Sequence, residues 1–207
     1  VHEELQSRRN LAQDLASGFL LLGDLGDTTY LQALDAQNAT RLFSDATDPL
    51  TRWQLATRPG ELPAYDEALL RREMNLFPEW YVARHLKKAI DQKQLENVFA
   101  LLVKSALAQP VVYVHRDYMP RNLMVCEPNP GVLDFQDAVL GPISYDVVSL
   151  FRDAFLSWEE EQVLERVYWQ VVPHPWANLE THPVWPGYTE FAQELVRDAA
   201  DPAWQWI

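Results

Sequence analysis

The sequence predicts an α+β fold, helical through its middle with short strands at two places, and three observations carry that prediction. Between Thr29 and Leu107 apolar residues recur at spacings of three and four, the period of a helix with one buried face. After Pro110 the period changes, and residues 111–114, 123–125 and 132–135 form short apolar runs separated by polar segments. Ahead of the helices, residues 12–24 (AQDLASGFLLLGD) hold an apolar run that is too short for an amphipathic helix and is bounded by turn residues.

Taken in order, residues 12–24 read as two strands turning at Ser17-Gly18, and GDLGD at 23–27 breaks the second. Residues 29–56 read as two helices, because Asp48-Pro49 interrupts the pattern. A Pro/Gly connector follows at 58–65. Asp66 is a good N-cap for the helical stretch EALLRREMNLFPEWYVARHLKKA, which Pro78 should kink or divide. Residues 95–107 predict a helix with Leu95, Val98, Phe99, Leu102 and Ala106 on one face, ended by Pro110. Beyond the short strands, YDVVSLFRDAF predicts a helix, and residues 158–170 continue at helical spacing behind the acidic start WEEEQ. The tail at 173–207 is rich in Pro and Trp, with 188–197 its best helical segment.

Composition narrows the classes. A chain of 207 residues with 48% hydrophobic and 23% charged residues has the balance of a folded globular protein with one large core. Its net charge of -13 repels a phosphate backbone, which argues against nucleic acid as partner. Cys126 is the only cysteine, so no intrachain disulfide forms. No apolar run is long enough for a membrane span and no charged-then-apolar leader opens the sequence, so a soluble, cytoplasmic protein is expected. The oligomeric state is not legible.

The chemistry concentrates in VVYVHRDYMPRNLMV. His115, Asp117 and Asn122 fit H-x-D-x-x-x-x-N, a spacing suited to phosphoryl transfer. An Asp just past the end of a buried strand projects from a rigid support, and an Asn five residues on can fold back toward it. One group then orients an attacking hydroxyl while the other holds a metal. Asp134, closing the apolar run GVLDF, offers a second hard oxygen ligand of the kind Mg²⁺ requires. Singly, each residue reads more readily as a turn or helix cap than as a catalytic group; the ordered set between two strand-like runs does not.

VHRDYMPRNLMV followed by GVLDFQDAVLGPISYDVVSLFRDAF resembles the aminoglycoside phosphotransferase-like kinases, a protein-kinase-like family. Within it the chain is similar to the bacterial anomeric sugar kinases of N-acetylmuramic acid and N-acetylglucosamine. GFLLLGDLGDTTYLQAL, like that group's hinge strand, and YDEALLRREMNLFPEWYVARHL, like its substrate-side helices, extend the likeness over residues 12–156. The resemblance implies a protein-kinase-like fold consisting mainly of the helical C-terminal lobe (25–207), with residues 1–24 a remnant of the N-terminal lobe and hinge strand. It implies an ATP- and Mg²⁺-dependent kinase that phosphorylates the C1 hydroxyl of an amino sugar during cell-wall recycling. An aminoglycoside or other small-molecule kinase, or a silent pseudokinase that only binds, is the alternative.

Carried over by position, the resemblance makes Asp117 the catalytic base, His115 a residue that holds the loop, Asn122 and Asp134 the magnesium ligands, and Asp146 the buried tether of the loop. Asp146 reads equally as a helix cap. Arg116 and Arg121 are candidates for phosphate or a sugar carboxylate, and Asp137 could assist near Asp134. Adenine would lie against Leu22, Gly23, Asp24 and Leu25, and residues 20–22 otherwise read as an ordinary core strand. Glu79 and Trp80 are candidate sugar contacts, a carboxylate for hydroxyls and a ring face for a pyranose. A Gly-rich loop and a strand lysine ahead of the hinge, which a complete kinase needs, are not among these residues. Glu3 or Glu4 is a candidate remnant of the partner glutamate, and a surface acidic helix is the other reading. Either the native protein carries an N-terminal lobe outside these residues or it lacks one; the intact catalytic loop favours the former.

Overall fold

A computed structural model describes Ser7, residues 10–153, residues 155–159 and Val163. Strands β1 (Asn10–Asp14) and β2 (Phe19–Leu22) pair antiparallel as a hairpin, its turn completed by Gly18 at φ 75°. Both faces of this hairpin are open. Leu20 and Leu21 are 56% and 59% exposed, so the reading of this segment as ordinary core strand does not hold among the described residues.

Helix α1 (Tyr30–Ala33) is a single turn fixed by a capping box between Thr29 and Gln32. Helix α2 (Ala39–Leu55) then runs unbroken through Pro49, so the chain divides ahead of Asn38 and not at Asp48-Pro49 as expected. Proline removes one bond to the preceding turn, but the Thr47 and Thr51 hydroxyls bond the Phe43 and Thr47 carbonyls at 2.8 and 2.9 Å. The buried face of α2 supplies the stronger reason for continuity. Leu42, Phe43, Ala46, Leu50 and Trp53 are all buried, and each large side chain removed from water contributes roughly 1.5–3 kcal/mol.

Asp66 caps α3 (Glu67–Met74) through the Leu69 N–H at 2.9 Å. The stretch beyond divides as expected, with Pro78 in the first turn of a wide π-helix, Phe77–His85, whose closing Leu86 N–H reaches back five residues to the Tyr81 carbonyl. Helix α4 (Gln92–Leu107) starts three residues earlier than expected because Asp91 caps it. Its buried residues are Phe99 and Val103. Val98 and Leu102, expected on the buried face, are exposed among the described residues, because α3 and the segment Val139–Pro142 cover only the side centred on Phe99.

Strand β3 (Val111–Val114) pairs antiparallel with β6 (Val139–Pro142), and β4 (Leu123–Met124) pairs with β5 (Gly131–Val132). The sequence pattern assigns no element to residues 139–142, so β6 is missed. Its proline sits at the end of the ladder opposite Val111, where no further N–H is required. The connector at 58–65 lies along the other edge of β6, exchanging Tyr65 N–H to Leu140 O and Leu140 N–H to Pro63 O, both at 2.7 Å. Helix α5 (Ser144–Phe151) follows. The core gathers α2, β3, β4, β5 and α5: Trp53 packs on Tyr113 and Phe43 on Phe151 at 5.8 and 5.0 Å between ring centres. The helices expected at 158–170 and 188–197, and Glu3 and Glu4, fall outside the described residues or almost entirely so.

Candidate active site

The polar loop after β3 is clamped from beneath. Asp146, buried in the first turn of α5, accepts the main-chain N–H groups of His115 at 2.7 Å and Arg116 at 3.1 Å. The His115 ring is buried against Trp53 and Tyr118, and its Nδ1 accepts the Asp117 N–H at 3.3 Å. Burial lowers the His115 pKa to about 4, against the Leu133 carbonyl and the Asp134 charge; the imidazole is neutral at pH 7. Burial also raises Asp146 to about 7, opposed by its two amide hydrogen bonds and assisted by the nearby Asp117 charge.

The Asp117 carbonyl accepts the Met119 N–H and the Asn122 side-chain amide, both at 2.9 Å, which ties the loop back on itself. Among the described residues no hydrogen bond engages the Asp117 carboxylate, which is half-buried at the loop surface. A carboxylate on a fixed backbone, with both oxygens uncommitted, can accept a proton from a hydroxyl placed against it.

The Asn122 carbonyl accepts the Leu133 N–H at 2.9 Å at the end of the β4–β5 ladder, so Asp134 follows directly on the residue bonded to Asn122. Asp134 has a left-handed backbone, φ 66°, and Gln136 donates to its Oδ1 at 2.5 Å. Because the Asn122 amide nitrogen is committed to Asp117, its oxygen is the atom left for a cation. An amide oxygen and a carboxylate are the hard donors that magnesium takes together with phosphate oxygens, so this pair fits the ion. No group of three or more His, Cys, Asp or Glu able to hold a metal occurs among the described residues.

Leu25 anchors the segment after β2, buried so close to β5 that a Cβ on Gly131 would lie 3.0 Å from its Cδ1. Just before it, no hydrogen bond among the described residues uses the main-chain groups of Gly23. Those groups remain available to an adenine edge.

Arg116 adopts φ 77° and turns its guanidinium to Glu73 of α3, with a longer contact of 3.4 Å to the Asp137 carbonyl. Glu73 also accepts the Tyr65 hydroxyl. Glu73 and Tyr65 carry no sequence signal and were not expected here; only the meeting of α3 with the loop identifies them. Arg121 is exposed, its guanidinium 5.3 Å from the Phe155 ring centre. On the π-helix Glu79 and Trp80 are exposed, and Arg84 covers one face of the Trp80 ring at 3.8 Å.

Comparison with known proteins follows the same lines. The N-acetylmuramate/N-acetylglucosamine kinase of Pseudomonas aeruginosa is 54% identical over 189 residues, 88% of this chain and 54% of that protein. The kinase of the same name from Pseudomonas putida is 57% identical over 164 residues, 77% of this chain and 48% of that one. A Neisseria meningitidis protein, also so named, is 50% identical over 169 residues, covering 77% and 51%. The chain thus spans about half the length of the curated relatives it matches. Among solved structures, ADP-bound aminoglycoside phosphotransferase APH(2'')-Ib superposes with a TM-score of 0.54 at 14% identity, covering 92% of this chain and 64% of that one. Choline kinase LicA from Streptococcus pneumoniae gives 0.51 at 13% identity, with coverage of 93% and 74%. At such identity the likeness concerns the fold alone, which is protein-kinase-like. With one family model running over residues 5–170, through the β1–β2 hairpin, the loop after β3 and past Asp134, the chain belongs to the phosphotransferase enzyme family, APH.

Proposed function

We propose that the chain is the catalytic and acceptor-binding part of an ATP- and Mg²⁺-dependent kinase that phosphorylates the C1 hydroxyl of N-acetylmuramic acid or N-acetylglucosamine, in cytoplasmic recycling of cell-wall sugars. The observation that carries the reading is the Asp117 carboxylate, uncommitted on a loop that Asp146 and Asn122 hold from two sides. The names of the relatives at 50–57% identity support the sugar.

On this reading Asp117 accepts the proton of the acceptor hydroxyl as that oxygen attacks phosphorus, and loop rigidity keeps the carboxylate in line. Asn122 and Asp134 would hold Mg²⁺, which when bound neutralises charge on the transferring phosphate. Leu22, Gly23, Asp24 and Leu25 would receive adenine, and residues 1–24 belong with the nucleotide-binding side of the cleft. Arg121, Glu79 and the open face of Trp80 are the candidate acceptor contacts; Arg116 already has a carboxylate partner in Glu73. His115 and Asp146 act on architecture.

The test is ADP release by the full-length native protein over a panel of N-acetylated amino sugars and aminoglycosides, with phosphorus NMR to place the new phosphate. Asp117→Ala should lower turnover at least about 100-fold while leaving the melting temperature close to wild type. Turnover that survives the substitution, or activity confined to aminoglycosides, would sink the reading.

A further inference from the structure

Arg116 lies one residue ahead of the Asp117 carboxylate, and its φ of 77° is a left-handed conformation that strains a non-glycine residue. Such strain persists only where the surroundings over-determine it. Two carboxylates do so. Asp146 accepts the Arg116 main-chain N–H at 3.1 Å, and Glu73, on a different helix, takes the guanidinium.

Glu73 is itself held. Its second oxygen accepts the Tyr65 hydroxyl, the Tyr65 N–H bonds the Leu140 carbonyl of β6 at 2.7 Å, and the Tyr65 ring packs on Tyr145 at 5.3 Å. A Cβ on Gly141 would come within 2.9 Å of Tyr65, so β6 presses directly on it. The side chains of Arg116 and Glu73 are 22% and 25% exposed, whereas those of the ordinary surface pair Arg41–Asp45 are 65% and 33% exposed. Exposed pairs contribute little; a charge-assisted contact withdrawn from water orients its partners more strongly.

We infer that Glu73, fixed by Tyr65, is a positioning residue: through the Arg116 guanidinium it holds the strained turn that aims the Asp117 carboxylate, tying α3 to the loop. The inference rests on the phosphotransferase reading for its kinetic consequence, and on the turn alone for its structural one.

Both consequences are measurable on the full-length native protein. Glu73→Gln keeps the shape and removes the charge. Hydrogen exchange at the Asp117 and Tyr118 amides should quicken about ten-fold with α4 amides unchanged, and kcat should fall about 10- to 100-fold with acceptor and ATP KM within two-fold. Glu73→Asp should recover part of the loss. Tyr65→Phe, which leaves the ion pair in place, should give a smaller change of the same kind and serves as the deciding variant if Glu73→Gln does not fold. Unchanged exchange at the loop overturns the inference whatever the kinetics, and so does a raised acceptor KM at constant kcat, which would make Glu73 a substrate contact. A wild-type protein that phosphorylates no amino sugar sinks the kinase reading by itself, and the exchange measurement still decides whether Glu73 holds the turn.

Discussion

His115 and Asp146 are neighbours beneath the loop, and their protonation responds to burial in opposite directions. His115 falls from 6.5 to about 4, so the unfolded chain binds its proton first on acidification. The stability it contributes is complete above pH 6.5 and lost as pH falls toward 4. Asp146 rises from 3.8 to about 7, so its contribution is complete below pH 3.8 and lost as pH rises through 7. Between those limits the two slopes oppose, each at most about 1.4 kcal/mol per pH unit. Asp146→Asn should therefore make denaturant stability fall more steeply from pH 6.5 to 4, and His115→Gln should make it fall from pH 4 to 7. A pH series of urea midpoints on the two variants checks both signs; parallel curves would refute the pairing.

At the scale of elements, α2 carries the fold. Trp53 is buried against Tyr113 and His115, and Trp53→Ala should cost about 3–5 kcal/mol in chemical denaturation. Removing the Asp91 cap of α4 should cost only about 1 kcal/mol. That helices fill this part of the chain was legible in the sequence, because helical spacing and the capping Asp66 are local signals, whereas the Asp91 cap was not read and α4 was expected to begin at residue 95. The hairpin at 10–22, the cap at Asp66, strands β3, β4 and β5, and helix α5 follow from such signals. Strand β6 was not legible, since its pairing partner lies about 30 residues back at β3 and its glycine and proline disfavour a strand locally. Continuity through Pro49 was hidden for a related reason: proline speaks locally for a break, and burial on both sides of it overrides that preference. In the site, the H-x-D-x-x-x-x-N spacing exposed Asp117 and Asn122 because both lie on one loop. Glu73, 43 residues before Arg116, enters only through tertiary packing.

Over the whole molecule, apolar surface is distributed unevenly. The hairpin exposes Leu11, Leu15, Phe19, Leu20 and Leu21, while between α2 and α5 the exposed aromatic residues are Phe77, Trp80 and Tyr81 of the π-helix and the rings of Phe43, Trp53, Tyr113 and Tyr118 are buried. A two-stranded hairpin with both faces open is marginal by itself, and clustered exposed apolar residues favour association. For this 207-residue chain, replacing Phe19 and Leu21 by Lys should reduce dye binding to apolar surface and shift light scattering toward monomer, leaving the melting temperature of the larger lobe unchanged. Equal dye binding before and after the substitutions would place the adhesive surface elsewhere, for example on the exposed Val98, Leu101 and Leu102 of α4.

The connector after that hairpin has a mechanical consequence. Leu25 is seated against Gly131, the Val125 N–H bonds the Thr28 carbonyl at 2.9 Å, and Thr29 bridges to Met124. From Leu25 onward the connector is thus bolted to the small sheet of β4 and β5. On the proposed function, a hairpin that turned about Gly23 and Asp24 would tilt toward the nucleotide like a door whose frame stays still, and the sheet carrying Asn122 would keep its alignment.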